Sequence, residues 1–343
     1  MPDRAVLITG AAGEIGHGLV HYLADQADVI VVTLDLQPLD DDLAPLVAEH
    51  YSGSVVDDDL LARVFDEHDL HAVYHLAALL STTAGRMPLL AHEVNVEGTL
   101  KLLELSQQAG ERHGHELRFL YPSSIAAHGL PSLAAKAAAG RVKEGEWLNP
   151  ATMYGCNKLY CEQLGAYYAQ HYKQLAETPP TRWVDFRSIR FPGLISAVTM
   201  PTGGTSDYAP EMIHAAARGE PYDCFVRPDT RIPFMAMPDG VAALVQLAEA
   251  RREALSQPVY AITAFNPSAA EIRSLVLDAF PNAQIGYDVD HARQAVVDTW
   301  PADVDDSAAR RDWGLDPVYD LQGAFDDYLI PTIRARYRDT APA

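Results

Sequence analysis

The segment "PATMYGCNKLYCEQL" (150–164) carries a tyrosine and a lysine whose spacing could support acid–base chemistry. Tyr154 and Lys158 stand four residues apart, so on a helix their side chains are neighbours. A free tyrosine titrates near ~10, whereas a general base works best with a pKa near the operating pH. We expect the Lys158 ammonium to lower the pKa of Tyr154 by Coulombic attraction. The alternative is a surface lysine beside a core tyrosine.

The other side chains of this segment suggest how its helix is oriented. Asn157 and Glu162 are typical of a helical surface, and Tyr160 and Leu164 of a buried stripe. We therefore expect the polar pair to face solvent and the apolar pair to face the core.

Two serines end an earlier apolar run. "LRFLYPSS" (117–124) is typical of a buried strand, and Ser123 and Ser124 are its last residues. The carboxyl ends of parallel strands gather at the crevice where ligands bind. A serine hydroxyl there could hold a substrate oxygen beside Tyr154.

A glycine-rich turn follows the first apolar run. "ITGAAGEIG" places Gly10, Gly13 and Gly16 between a strand and a helix, and Asp35 ends the second strand. Glycines permit a tight turn and the close approach of a pyrophosphate, whose charge the helix N-terminus favours. Asp35 can accept a hydrogen bond from a ribose 2′-hydroxyl, and "LQPLDDD" (36–42) supplies no cation for a 2′-phosphate. NAD is favoured over NADP. The alternative is three turn glycines and a strand-end aspartate.

We predict no metal site. His17 and His21 could share a helix face, but no carboxylate or cysteine accompanies them in the sequence. We interpret both histidines, and the acidic run Asp40–Asp42, as solvated surface. Three cysteines show neither metal-ligand spacing nor a disulfide framework, which favours a reducing, cytoplasmic compartment.

Apolar runs alternate with helical patterns over the first 196 residues. This alternation predicts a Rossmann-type α/β fold, a doubly wound parallel sheet with helices on both faces. The predicted strands are 5–10, 29–35, 71–78, 117–124 and 183–196; the predicted helices are 14–26, 59–68, 88–110 and one that Tyr154 opens.

From about residue 197 the pattern changes to short strands, Pro and Gly clusters and several helices. We predict an NAD-binding domain at 1–196, to which 239–265 returns, and a smaller C-terminal α/β substrate lobe at 197–238 and 266–343. The Ala/Gly-rich connector 125–152 is long for a compact domain, so we expect a lid or an insertion.

Composition limits the partners of this chain. A length of 343 residues with 48% apolar residues suits a globular protein, and a net charge of −21 argues against nucleic acid or an anionic membrane as partner. No apolar run approaches the ~18 residues that a membrane span needs. We expect a small-molecule substrate.

These motifs together resemble the extended branch of the short-chain dehydrogenase/reductase superfamily, and "YHLAA" (74–78), "NVEGTL" (95–100) and "DVDDSAARRDWGLDP" (303–317) look like that branch too. The resemblance implies hydride transfer to NAD with Tyr154 as base. Lys158 would tune Tyr154 and hold the nicotinamide ribose, and Ser124 would orient the substrate oxygen. The cofactor contacts that it implies are Gly10, Gly13, Glu14, Ile15, Gly16, Asp35, Leu76, Ala77, Ala78, Asn95, Tyr154 and Lys158.

Further segments resemble the short-chain type of L-threonine 3-dehydrogenase, among them "AALLS" (77–81), "PSSIAAHG" (122–129), "GGTSDYAPEM" (203–212) and "DTRIPFMAMPD" (229–239). This resemblance implies that Ser81, Ser124, Tyr154, Thr205 and Asp207 contact a small amino acid. An aspartate suits an ammonium group, and hydroxyls suit a carboxylate and an alcohol. The alternative for "GGTSDY" is a glycine-hinged turn in which Thr205 caps a helix.

The sequence departs from that family at three positions. Ser124 stands where Thr is usual, Ser54 where related proteins often have Asp near the adenine, and Thr202 where Gly is expected.

Two other functions stay open. One is a nucleotide-sugar 4-epimerase, which would need cations such as Arg227 and Arg231 for a uridine diphosphate. The other is a non-catalytic NAD-sensing module, against which the intact Ser124, Tyr154 and Lys158 argue. Family analogy also suggests a homodimer.

Overall fold

The structure is a computed structural model that describes residues 4–201 and 203–337. Thr202 therefore lies outside the described residues. Within these ranges a seven-stranded parallel sheet forms the centre of the fold, with its strands in the spatial order 259–261, 184–191, 117–124, 70–75, 4–9, 29–35 and 49–52. Helices flank the sheet, so the predicted Rossmann-like α/β fold is confirmed.

The strands are β1 (Arg4–Thr9), β2 (Val29–Asp35), β3 (Glu49–Ser52), β4 (Leu70–His75), β5 (Leu117–Ser124), β6 (Arg141–Val142), β7 (Val184–Phe191), β8 (Gly193–Ile195), β9 (Tyr222–Cys224), β10 (Phe234–Ala236), β11 (Val259–Ala261), β12 (Ile285–Tyr287) and β13 (Asp303–Val304). The α-helices are α1 (Glu14–Ala24), α2 (Asp58–Glu67), α3 (Ser81–Arg86), α4 (Pro88–His92), α5 (Gly98–His113), α6 (Leu133–Ala139), α7 (Met153–Gln170), α8 (Tyr208–Arg218), α9 (Met237–Glu249), α10 (Ala269–Ala279), α11 (His291–Asp298), α12 (Ser307–Trp313), α13 (Leu321–Gly323) and α14 (Ile330–Tyr337).

Both faces of the central sheet are buried. Along β1, Val6 and Ile8 pack into one hydrophobic cluster, and Ala5 and Leu7 pack into another on the opposite face. Successive side chains of a strand point to opposite faces, so a continuous apolar run is what a sheet covered on both sides requires.

The predicted strand 183–196 is wrong in its continuity. β7 ends at Phe191, and β8 pairs with β10 outside the central sheet. Pro192 separates the two strands. Proline has no N–H to donate to a strand neighbour, so the ladder is interrupted there.

The predicted helix 88–110 also contains an irregularity. A π-helical turn (Glu93–Glu97) joins α4 to α5, and the helix continues to His113 before Gly114 adopts a positive φ of 76°. Such wide turns are often found at functional sites. Here the turn contains Asn95.

The connector 125–152 is a folded segment that is tied to the C-terminal part of the chain. It contains α6, and its β6 pairs in parallel with β13. Lys136 Nζ donates to Val297 O at 3.0 Å, and Arg141 Nη2 lies 2.5 Å from Asp306 Oδ1. These bonds indicate an insertion packed in place, which is one of the two forms that the sequence suggests.

The C-terminal part of the chain builds smaller structures. β9 pairs with β12, while β11 adds an edge strand to the central sheet beside β7. The division into a domain at 1–196 with 239–265 and a lobe at 197–238 with 266–343 stays a prediction. In the part of the chain that the structure describes, no helix has the length and apolar character needed to cross a membrane.

Candidate active site

The central sheet places the glycine-rich turn at its topological switch point. After β1 the chain proceeds to β2 and β3 on one side, and then returns to β4 on the other. Gly10 adopts a φ of +75°, and a Cβ there would come within 2.6 Å of Ala77 N, just beyond β4. Ligands of open α/β sheets bind in the crevice at this point.

The turn leads directly into α1. Gly13 is the N-cap residue of this helix, and a Cβ on Gly16 would lie 2.5 Å from Gly10 O and Ala11 O. Asp35 ends the neighbouring strand β2, and its Oδ2 accepts from Ala12 N at 3.0 Å. Glycine backbone, helix N-terminus and carboxylate thus lie together, and this arrangement fits a dinucleotide.

A cavity of about 360 Å³ lies over this turn. Ala12–Glu14 line one side of it, and Val198–Met200 and Arg336 line another. Arg336 also donates to Val198 O. Sequence reasoning missed this arginine, because it comes more than 300 residues after the turn and no local pattern connects the two.

The segment after β4 is held by hydrogen bonds from two directions. Leu76 N donates to Thr9 O at 2.9 Å, and Ala77 N to Thr9 Oγ1 at 3.4 Å. Asn95 is buried, accepts from Leu79 N at 2.7 Å and donates to Leu79 O at 3.0 Å. These contacts make Asn95 a positioning residue for the segment, and its predicted contact with the cofactor stays a prediction.

Tyr154 and Lys158 lie in the first turns of α7, which Thr152 caps by accepting from Gly155 N at 3.0 Å. Lys158 Nζ lies 5.6 Å from the centre of the Tyr154 ring and 4.5 Å from that of Tyr121. It donates to Pro122 O at 2.6 Å. The predicted neighbourhood of the two side chains is therefore present.

The predicted lowering of the Tyr154 pKa is wrong, because the structure raises it. Burial raises the pKa of Tyr154 to about 12, although a hydrogen bond with Ser124 acts in the opposite direction. Burial also lowers the pKa of Lys158 to about 8, against the attraction of Cys161 and Glu162. Loss of water around the buried phenolate outweighs the hydrogen bond with Ser124, and the Lys158 ammonium is directed at Pro122 O instead.

The two serines at the end of β5 face different partners. Ser124 is hydrogen-bonded to Tyr154 and accepts from Ala126 N at 3.1 Å. Ser123 is buried, and its hydroxyl donates to Glu162 Oε1 at 2.5 Å. Ser124 is thus the serine that lies beside the candidate base.

The expected orientation of α7 is wrong for Asn157, Glu162 and Tyr160, whereas Leu164 is half-buried and packs against the core as expected. Glu162 and Asn157 are buried, whereas Tyr160 is 53% exposed. Two hydrogen bonds join Glu162 to Arg190 of β7, at 2.8 and 2.6 Å, while Asn157 Oδ1 accepts from Asn95 Nδ2 at 3.4 Å. Buried polar groups are tolerated when they are paired in this way.

The network around Arg190 reaches the connector. Arg190 Nη1 donates to Glu144 O at 2.7 Å and lies 3.3 Å from His128 Nε2. Burial lowers the pKa of His128 to about 4, so the ring is neutral and can accept. The connector therefore helps to hold α7, and with it Tyr154 and Lys158.

Two of the predicted substrate residues meet although they are far apart in the sequence. Ser81 opens α3, and its Oγ lies 2.8 Å from Thr205 Oγ1 and accepts from Thr205 N at 3.2 Å. Helix α3 packs against α7, which carries Tyr154. The structure therefore brings the two hydroxyls together at a helix that packs against α7, and their contact with a substrate beside Tyr154 stays a prediction.

Asp207 organises the turn that contains Thr205. Its Oδ2 accepts from Gly203 N at 2.9 Å and from Gly204 N at 2.6 Å, and Arg293 Nη2 donates to Gly204 O at 2.8 Å. The N-cap of α8 is Asp207 and not Thr205. The glycine-hinged turn is present, but Thr205 faces Ser81 and does not cap the helix.

The expectation that His17 and His21 have no carboxylate near them is wrong. Asp42 Oδ2 lies 2.9 Å from His21 Nε2 and 3.5 Å from His17 Nε2, and Asp40 Oδ2 lies 3.9 Å from His17 Nε2. The acidic run 40–42 therefore folds back on α1. The sequence did not indicate this contact, because the acidic run and the histidines of α1 are far apart along the chain.

The two arginines that an epimerase would need are paired with carboxylates. Arg227 Nη1 and Nη2 donate to the two oxygens of Asp298, each at 2.9 Å. Arg231 Nη2 lies 2.9 Å from Glu271. A pyrophosphate would have to compete with these ion pairs for both cations.

Sheet, glycine-rich turn and the Tyr154–Lys158 pair define a Rossmann-type, nucleotide-dependent oxidoreductase. The sequence pattern of the NAD dependent epimerase/dehydratase family matches residues 6–263. The chain belongs to this family, the extended short-chain dehydrogenases, and is an NAD-dependent oxidoreductase. The first resemblance found in the sequence is therefore confirmed.

Similar proteins carry more specific names. The chain is 33% identical over 328 residues to the mitochondrial L-threonine 3-dehydrogenase of Bos taurus, covering 93% of this chain and 80% of that protein. The holo form of a GalE-like L-threonine dehydrogenase from Cupriavidus necator matches with a TM-score of 0.83 and 35% identity, over 97% of this chain and 99% of that one. The apo form of that protein matches with a TM-score of 0.73 and 32% identity, over 98% of this chain and 99% of that one.

A UDP-glucose 4-epimerase from Thermotoga maritima matches with a TM-score of 0.79 over 97% of this chain and 99% of that one. Its identity is only 20%, so this likeness shows the fold alone.

Proposed function

We propose that the protein oxidises the β-hydroxyl of L-threonine to 2-amino-3-oxobutanoate, with NAD in preference to NADP as the hydride acceptor. The contact between Ser81 Oγ and Thr205 Oγ1 at 2.8 Å carries this proposal. It joins two segments that resemble L-threonine 3-dehydrogenases, and one of them, α3, packs against the helix that bears Tyr154. A small polar substrate suits such closely spaced neutral hydroxyls.

The chain's own residues provide a route for the proton. When bound, NAD supplies the acceptor for the hydride that leaves the β-carbon. Ser124 holds the substrate hydroxyl beside Tyr154 Oη, and Tyr154 takes its proton as the carbon–oxygen double bond forms. Lys158, held by Pro122 O, offers a positive charge near the phenolate. One C–H and one O–H bond break for each molecule of NADH and each proton formed.

The charge of the substrate determines what else the site must supply. A zwitterionic amino acid brings an ammonium group, and a buried charge without a partner is costly. Asp207 is the acidic residue next to the Ser81–Thr205 contact, and we propose that its carboxylate binds this ammonium in addition to the backbone of Gly203 and Gly204. Asp207→Asn separates the two roles, because it keeps an oxygen for the backbone but loses the charge.

We expect this variant to lose roughly a hundredfold in kcat/KM for L-threonine, which corresponds to ~3 kcal/mol, while NAD binding is unchanged. Full activity of Asp207→Asn would show that Asp207 only stabilises the turn and does not bind the ammonium group.

The Arg227 and Arg231 pairs support the amino-acid substrate over the nucleotide sugar. Both guanidinium groups already have a carboxylate partner. Breaking the partly buried Arg227–Asp298 pair for a diphosphate leaves an unpaired carboxylate behind, which opposes binding, whereas the more exposed Arg231–Glu271 pair opposes it less. The epimerase is therefore the second candidate.

Steady-state assays of NADH formation test the proposal. We expect turnover with L-threonine, less with L-serine, and little with D-threonine, because the site must recognise the α-carbon as well as the β-hydroxyl. UDP-galactose is the control for the second candidate: conversion to UDP-glucose without release of NADH would replace the threonine proposal. A cytoplasmic location and a homodimer stay predictions.

A further inference from the structure

Two histidines of α1 and two aspartates of the loop after β2 form a compact cluster outside the catalytic residues. His17 and His21 stand one helical turn apart, with ring centres 4.9 Å apart and ring planes tilted by 51°. Asp42 Oδ2 lies between them, 3.5 Å from His17 Nε2 and 2.9 Å from His21 Nε2. Asp40 Oδ2 lies 3.9 Å from His17 Nε2.

The spacings of His17, His21 and Asp42 suit three ligands of one tetrahedral metal ion. An ion with ligand bonds of about 2.0–2.1 Å separates its ligand atoms by about 3.3 Å, and the three measured distances lie on both sides of this value. We propose that His17, His21 and Asp42, whose ligand atoms all lie within 4.8 Å of one another, bind a divalent first-row transition ion such as Zn²⁺ or Co²⁺, with Asp40 or water completing the coordination. Two imidazoles with carboxylates suit these ions better than Mg²⁺ or Ca²⁺, which prefer oxygen ligands throughout.

The loop that supplies the carboxylates is held in place. Asp40 Oδ1 accepts from Asp42 N at 3.2 Å and from Leu43 N at 2.9 Å, and the side chain of Leu43 is buried in the core. The second oxygen of Asp40 is the one nearest to His17. On the helix side, His17 is only 16% exposed. His17, His21 and Asp42 therefore need little rearrangement to meet one ion, whereas Asp40 would have to move closer.

The position of the cluster is next to the candidate cofactor site. His17 and Asp40 line the same cavity as Gly13 and Glu14 of the glycine-rich turn. An ion held there lies at the rim of that cavity and offsets the two aspartate charges that face it.

A second histidine cluster is a less suitable site and provides a matched control. His71 and His115 lie beside Asp69, but their rings are stacked with an angle of 18° and centres 4.4 Å apart. A metal ion lies in the plane of each imidazole that binds it, so two stacked rings cannot share an ion without turning. His113 adds a third ring, 3.4 Å from Asp69.

The test is titration of the full-length, tag-free protein after treatment with a chelator. Co²⁺ is followed by its visible absorption, Zn²⁺ by calorimetry, and excess Mg²⁺ should not displace either. We expect one equivalent to bind. We also expect a loss of roughly 10–100-fold or more in affinity in a His17→Ala, His21→Ala double variant, and separately in the near-isosteric Asp42→Asn.

Two controls should keep the affinity of the parent protein. One is the His71→Ala, His115→Ala double variant, and the other is Cys156→Ser, because the exposed Cys156 thiol could bind the same ions. Thermal unfolding of each variant checks that it is folded. The proposal is overturned if the parent binds no Co²⁺ or Zn²⁺. It is also overturned if the His17→Ala, His21→Ala variant and Asp42→Asn bind as tightly as the parent, or if only the control histidines matter.

Discussion

Ser81 Oγ and Thr205 Oγ1 lie 2.8 Å apart although 124 residues separate them in the chain. Ser81 begins a helix that packs on the Tyr154 helix, and Thr205 lies in the turn that Asp207 and Arg293 hold. Ser81 lies in α3 and Thr205 in the turn at 203–207. Their hydroxyls can therefore meet only when this turn is folded against α3. The contact therefore joins the region of the candidate base to the C-terminal half of the chain.

Removal of either hydroxyl should weaken the use of L-threonine. We expect Ser81→Ala and Thr205→Ala each to lower kcat/KM by an amount equivalent to about 1–3 kcal/mol, because each leaves a polar partner unsatisfied. The double variant should lose less than the sum of the two, since the residues are in contact. Steady-state kinetics of all four proteins measure this coupling, and strict additivity would show that the two hydroxyls act independently.

Loss of the Tyr154 hydroxyl should abolish most turnover. Tyr154→Phe removes only the proton acceptor, so we expect a fall in kcat of at least ~10²-fold, with NAD affinity close to that of the parent. Turnover is followed by NADH absorbance and NAD binding by fluorescence titration. Near-normal activity of Tyr154→Phe would exclude this residue as the base.

The first change of slope in the pH profile of kcat/KM should lie at the pKa of Lys158 and not at that of Tyr154. Activity requires an ionised Tyr154 and a charged Lys158, whose pKa values in the free protein are about 12 and about 8. The fraction of protein molecules that carry both an ionised Tyr154 and a protonated Lys158 rises with pH up to about 8. Above that pH it stays level, because each further gain in tyrosinate is matched by an equal loss of the Lys158 ammonium. We expect kcat/KM for threonine to follow this curve.

Lys158→Arg tests the assignment, because arginine stays charged throughout this range. The kcat/KM of this variant, although lower than that of the parent, should continue to rise above pH 8. The threonine amine also titrates in this range, and comparing the variant with the parent at identical substrate concentrations removes its contribution. A plateau already below pH 7 in the parent would instead indicate a Tyr154 pKa lowered toward neutrality.

Cofactor choice should depend on Asp35. Its carboxylate ends β2 next to the glycine-rich turn, where it would oppose a 2′-phosphate. We expect kcat/KM to favour NAD over NADP by a large factor, and Asp35→Ser to narrow that gap mainly through weaker use of NAD. Equal use of both cofactors by the parent would contradict this role of Asp35.

The buried Glu162–Arg190 pair should be important for stability. Glu162→Gln removes one charge and leaves the other buried, which typically costs about 3–5 kcal/mol. We expect a clear fall in the denaturant midpoint, together with reduced turnover because α7 carries Tyr154. Glu104→Gln is the comparison, because this half-buried carboxylate accepts hydrogen bonds from the neutral Tyr168 and Tyr172 hydroxyls. A midpoint unchanged in Glu162→Gln would contradict the importance of the pair.

Much of the fold follows from local patterns. The strand–turn–helix at Gly10, the strand that ends at Ser124 and the helix that begins before Tyr154 lie where the sequence predicts them, because apolar period, glycine spacing and a threonine cap act over a few residues. The switch point then follows from the order in which strands and helices alternate.

Other features depend on contacts between distant segments. Glu162 looks like a surface residue until Arg190, 28 positions later, pairs with it inside the protein. The pKa of Tyr154 is set by how deeply α7 is buried, which its own sequence does not show. Arg336 and the Asp42 carboxylate reach the glycine-rich turn and α1 only through the tertiary fold.

Transfer of the β-hydrogen is the most direct test of the proposed reaction. L-Threonine deuterated at the β-carbon is incubated with the protein and NAD, and the nicotinamide product is analysed by NMR or mass spectrometry. Oxidation at the β-carbon predicts that each NADH formed carries one deuterium. NADH without deuterium, or no NADH from L-threonine while UDP-galactose is epimerised, would contradict it.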